Sequence, residues 1–103
     1  MKEILLSQLD RENTRLNHAG DELLTIKVDN YDLHNYMIYL DLVIEFDSIA
    51  DSLSGVHQAV LECFDNTSLL KHCTGFISNI SLMVCNFIVK VTEFKENMSW
   101  RNN

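Results

Sequence analysis

The chain has 103 residues, 47% of them apolar and 22% charged, with a formal net charge of −7. That balance describes one folded domain, 1–103, rather than a disordered segment. The negative field excludes direct binding of DNA or RNA and attraction to anionic membranes, and it favours encounter with basic partners.

Residues 2–18 predict a helix, with Leu5, Leu9 and Leu16 on one side and Ile4 and Leu6 widening it near the start. Asp10 to Asn17 are mostly polar, so the stripe is narrow and suits a helix lying on a sheet. Gly20 is placed to end this helix in the left-handed conformation. Charge enters within nine residues of the short apolar run, which argues against a signal peptide.

Leu24, Ile26 and Val28 alternate with Thr25 and Lys27, which predicts a strand over 23–29. The segment DNYDLHN then offers turn chemistry. Over 36–46 alternation continues, with Ile38, Leu40, Leu42, Ile44 and Phe46 on one face and Met37, Tyr39, Asp41, Val43 and Glu45 on the other. The two runs together predict an antiparallel hairpin.

At Asp47 the period changes. Ile49, Leu53, Val56, Val60 and Phe64 have helical spacing, Ser48 and Asp51 form a capping pattern, and the helix should end near Asp65 and Asn66. From Phe76 to Phe94, Ile77, Ile80, Val84, Phe87, Val91 and Phe94 fit a helix. The β-branched and aromatic richness of the same stretch favours one strand, or two broken near Cys85 and Asn86. The tract GFISNISLMVCNFIVKV is too polar and too short to span a bilayer. The predicted fold class is α+β: an N-terminal helix, an antiparallel hairpin, a central helix and a C-terminal strand or hairpin on one sheet, with an all-helical bundle as the alternative.

Chemistry is sparse. Asp29, Asp32 and His34 lie close together but lack the glycine and terminal glutamate of a calcium loop and the Cys/His pairing of a zinc site. Solvated turn carboxylates are the simpler account, and no metal or other cofactor is expected. His72 beside Cys73 is poorly placed for proton sharing, and His57 lacks a carboxylate on its face. The chain is therefore not expected to be an enzyme. Cys63, Cys73 and Cys85 are an odd number without a CxxC pair, which favours a reducing cytoplasm and small buried thiols.

Charge is the informative signal. Between Lys27 and Lys71 there is no Lys or Arg, while eight of the fifteen acids fall there. They are interleaved with Tyr36, Met37, Tyr39 and Val43, an aromatic and Met-bearing set typical of recognition patches. The expected function is that of a small acidic cytoplasmic binding protein that masks a basic surface of a partner protein. The most natural target is a nuclease toxin, whose phosphate-binding cleft must be cationic, so the expected role is that of an immunity protein or inhibitor. Asp29, Asp32, Tyr36, Tyr39, Asp41 and Glu45 are the predicted contact residues. The alternative is a homo-oligomeric structural or adaptor domain, such as a homodimer paired through the apolar C-terminal strand.

Overall fold

A computed structural model describes residues 1–63 and 66–101, with side chains described as far as Ser99. It is a bundle of three antiparallel-connected helices: α1 (Lys2–Thr25), α2 (Leu33–Glu62) and α3 (Thr67–Arg101). Among the described residues there is no strand. The α+β expectation is thus overturned, and the all-helical alternative describes the architecture. Phe64 and Asp65, assigned above to a helix and its end, lie outside the described residues.

Heptad spacing in each helix explains the result. Leu5, Leu9, Glu12, Leu16, Ala19 and Leu23 are buried along α1, in steps of four and three. Leu70, Cys73, Ile77, Ile80, Val84, Phe87, Val91, Phe94 and Met98 repeat the same steps along all of α3. Leu42, Ile49, Leu53 and Val60 supply the α2 seam. Three such stripes close on one another as a coiled-coil-like core. Phe87 lies fully buried at its centre, its ring tilted against Phe46 at 6.0 Å between centroids. The bundle measures 55 × 18 × 16 Å, close to the length that the α3 rise alone dictates.

Local signals place the helix ends. Asp29 accepts from the Tyr31 amide at 2.9 Å, closing an Asx turn, and the Asp32 side chain caps α2 by accepting from Asn35 N–H. Asn66 accepts from the Leu69 amide at 3.2 Å and opens α3. The predicted cap at Ser48 and Asp51 falls inside α2, and the predicted strands at 23–29 and 36–46 are largely the end of α1, the connection and the start of α2. The strand predicted over 76–94 is the middle of α3. β-branched composition is a weaker guide than a period sustained for nine positions.

The tract judged too short to span a bilayer belongs to this longer helix. By length and composition Thr67–Ser99 is apolar enough to cross a membrane, with 28% of its most apolar window buried inside the bundle. Its inward stripe packs against both other helices.

Gly20 does not end α1. It lies inside the helix, where a Cβ would meet the Phe46 ring at 2.5, 3.0 and 3.1 Å. Alanine there gains about 1 kcal/mol of helix propensity but must displace a ring held against Phe87, which costs about 1–3 kcal/mol. Gly20→Ala is therefore expected to destabilise in urea titration, and to become stabilising once Phe46 is replaced by Leu. A Gly20→Ala effect unchanged by Phe46→Leu would contradict the close-approach account. Gly55 meets nothing within 4 Å and makes no close approach, so Gly55→Ala should stabilise by about 1 kcal/mol.

All three cysteines are free. Burial pushes the Cys73 thiol up, and the neighbouring Cys63 thiol adds to the effect. A raised folded value means that stability is fully present below the ordinary thiol range, near about 8.5, and falls as pH rises through it. Stability measured from neutral to alkaline pH should fall more steeply in the parent than in Cys73→Ala.

Candidate protein-binding surface

The helical backbone separates the six predicted contact residues, two in the connection before α2 and four around α2, instead of collecting them on one face. Asp29 and Asp32 are committed to the turn and cap described above, with Asp32 also accepting from Asn35 Nδ2 at 2.8 Å. Tyr36 and Tyr39 stack on each other at 6.4 Å with 25° between planes, and both are half-buried. Asp41 and Glu45 stand toward the opposite side, on the wall of a groove between α2 and α3.

That groove, about 640 Å³, is floored by Leu42 and Phe94 and walled by His34, Asp41, Glu45, Lys90 and Glu93. Lys90 Nζ reaches Glu45 at 3.0 and 3.2 Å, so a cation from α3 neutralises one acid that the sequence showed as unopposed. The pair is partly exposed and contributes at most about 1 kcal/mol. Glu45 is thus a poor candidate for a partner contact, whereas Asp41 remains exposed.

The outward side of α2 carries the feature missed by strand periodicity. Leu33, Met37, Leu40 and Ile44 are 70, 57, 36 and 65% exposed. Their steps of four, three and four place them within about 60° of arc, diametrically opposite the buried Leu42, Ile49 and Leu53. Strand alternation assigns Leu40 and Ile44 to the core face with Leu42; in the helix they are turned to solvent. Asp41 and His34 flank the stripe on one side and Tyr36 and Val43 on the other, and Asp47 and Asp51 continue the line of the stripe beyond Ile44; all three acids are exposed. Exposed apolar residues elsewhere, including Leu69, Phe76, Leu82 and Val89 of α3, do not fall in one line.

A second polar cluster lies within the bundle. Glu12 occupies a core position of α1 with only 2% exposure. It accepts from Arg15 Nη1 at 3.1 and 3.0 Å and from Ser81 Oγ at 3.2 Å, while Arg15 Nη2 donates to Cys85 Sγ at 3.0 Å. The bond to Cys85 holds the Arg15 guanidinium above its ordinary value, with Glu12 adding to this against the effect of burial. Cys85 is therefore more than the small apolar filler expected. The one sequence trace of the cluster is a glutamate interrupting the leucine heptad of α1.

Among the described residues no three His, Cys, Asp or Glu side chains gather as a metal site. His34 lines the α2–α3 groove, and exposed His72 is separated from buried Cys73 by the helical twist. Compared with protein-family models, curated proteins and solved structures, the chain matches none.

Proposed function

We propose that this chain is a small, noncatalytic, acidic binding protein that masks a basic surface on a partner protein. The carrying observation is the outward face of α2: apolar over three turns, flanked by exposed Asp41, ended by exposed Asp47 and Asp51, and drawn from a segment with no Lys or Arg from residue 28 to residue 70. Rim acids of this kind steer a cationic partner into contact, and the apolar centre supplies binding free energy. A nuclease fits the charge pattern first, because its phosphate-binding cleft has to be cationic; inhibition of a nuclease toxin is the role we favour. The odd thiol count supports a reducing, cytoplasmic setting.

The test is purification of the tagged protein from its source at low and at high salt, with the bound protein identified and its affinity measured. A basic partner that dissociates faster and binds more slowly as salt rises is expected. An acidic partner, or a complex indifferent to salt, would overturn the proposal. Pairing of twin copies through a C-terminal strand edge is not retained, since residues 76–94 are helical. Sedimentation over a concentration range would detect a homodimer formed through another surface.

A further inference from the structure

We propose that Cys85 is a modification site, oxidised by hydrogen peroxide to a sulfenic acid while the Arg15 guanidinium holds its sulfur. The proposal stands on the polar cluster between α1 and α3 and is independent of the basic-partner reading above.

Three side chains position the sulfur. Arg15 Nη2 donates to Cys85 Sγ at 3.0 Å, while Nη1 reaches both oxygens of Glu12. Glu12 is buried and also accepts from Ser81 Oγ, so the guanidinium is held between α1 and α3. A neutral thiol is a weak acceptor, yet a fork donor is spent on this one. The attacking species of a cysteine is anionic, and a charged donor 3.0 Å from the sulfur is placed to hold it. The other two thiols have different surroundings. Cys73 is buried beside the Cys63 thiol, and both circumstances disfavour charge on it. Cys63 lies at the C-cap of α2, the negative end of a helix dipole. Cys85 is half-buried, within reach of a small reagent.

Access and charge select the oxidant. The sulfur lies between two helices, so a bulky reagent does not reach it. The net charge of −7 disfavours the approach of anionic disulfides. Hydrogen peroxide is small and neutral. In the step, sulfur attacks one peroxide oxygen, an S–O bond forms and the O–O bond breaks. The departing hydroxide takes up the thiol proton and leaves as water, so sulfur is oxidised and peroxide reduced. No internal thiol is placed to resolve the product. Cys73 is twelve residues back along α3, about 18 Å by helical rise, and Cys63 lies beside Cys73. A small thiol from solution therefore relieves the sulfenic acid, forming a mixed disulfide and releasing water.

The test treats the reduced full chain with equimolar hydrogen peroxide in the presence of dimedone, which traps sulfenic acids. Peptide mass mapping then locates the adducts over time. Cys85 should be labelled about tenfold faster than Cys63 or Cys73, and Cys85→Ser should abolish the fast phase. Glu12→Leu with Arg15→Met removes the cation together with its carboxylate, a joint replacement expected to keep the fold. In that variant Cys85 labelling should slow by about tenfold. Unfolding exposes thiols and speeds their labelling, so a slower reaction does not come from lost packing. Equal labelling of the three thiols in the parent, or earlier labelling of Cys63, would overturn the proposal without any variant. A double variant with parent helix content by circular dichroism that labels Cys85 at the parent rate would overturn it too. A Cys63–Cys73 disulfide formed ahead of any Cys85 adduct would move the oxidation to the other end of α3 and defeat it.

Discussion

Phe87→Ala is expected to cost about 3–5 kcal/mol, a large share of the roughly 5–15 kcal/mol that holds a domain of this size together. Phe87 has no exposed surface, sits midway along the α3 stripe, and supports the Phe46 ring that in turn lies against Gly20. Its loss would open a cavity touching all three helices and release the contact that fixes how closely α1 approaches α2. Urea titration should show an earlier midpoint, and thermal melting should fall by more than about 10 °C. A loss below about 1 kcal/mol would mean that the bundle collapses around the void, in conflict with the packing described. Val89→Ala, at an exposed position on the same helix, is the control and should lie within about 0.5 kcal/mol of the parent.

The second large effect concerns Glu12. Arg15→Met leaves a nearly fully buried carboxylate with Ser81 and a 3.8 Å approach from Arg11 as its remaining partners. Removing one side of a buried pair typically costs about 3–5 kcal/mol. The Arg15 side chain is 35% exposed, so water reaches the site and the expected loss is nearer about 2–3 kcal/mol. Replacing both partners, Glu12→Leu with Arg15→Met, should recover most of that loss or exceed the parent, because the desolvated charge is gone. The sign of the recovery decides the matter. If the double variant were as unstable as Arg15→Met alone, the ion pair would be contributing net stability and the desolvation argument would fail.

Much of the helical architecture was legible in the spacing of particular residues. Leu5, Leu9 and Leu16 marked α1, Ile49, Leu53 and Val60 marked the second half of α2, and Ile77 through Phe94 kept the heptad of α3. The last was outweighed by β-branched composition, although propensity differences of this kind are small beside the burial of six large side chains. The first half of α2 failed for a different reason. A helix with an apolar stripe on each of two opposite sides has large residues at both 38, 42, 46 and 33, 37, 40, 44, and the superposition of the two imitates period two. Strand alternation was the visible sum of two helical faces. For the candidate site, the run without cations leaves Asp41, Asp47 and Asp51 exposed on α2. Asp29, Asp32 and Glu45 were not separable by sequence from free acids, because their turn, cap and Lys90 partnerships depend on backbone and on a helix 45 residues away. Leu33, Leu40 and Ile44 were missed because nothing in a list of apolar residues says which ones face water.

The path of the chain also bears on how quickly it finds this shape. Each helix follows its neighbour after a short connection, so the α1–α2 and α2–α3 seams zip outward from turns already closed by Asp29, Asp32 and Asn66. Only the parallel seating of α1 beside α3 joins remote parts of the chain, and loop-closure entropy for it is met after both hairpins exist. Topologies of this kind refold in microseconds to milliseconds. With no proline anywhere in the sequence, there is no isomerisation to add a slow phase. The bundle's simplicity thus becomes a kinetic property: a chain that exposes an apolar helix face in its finished form spends little time exposing the others.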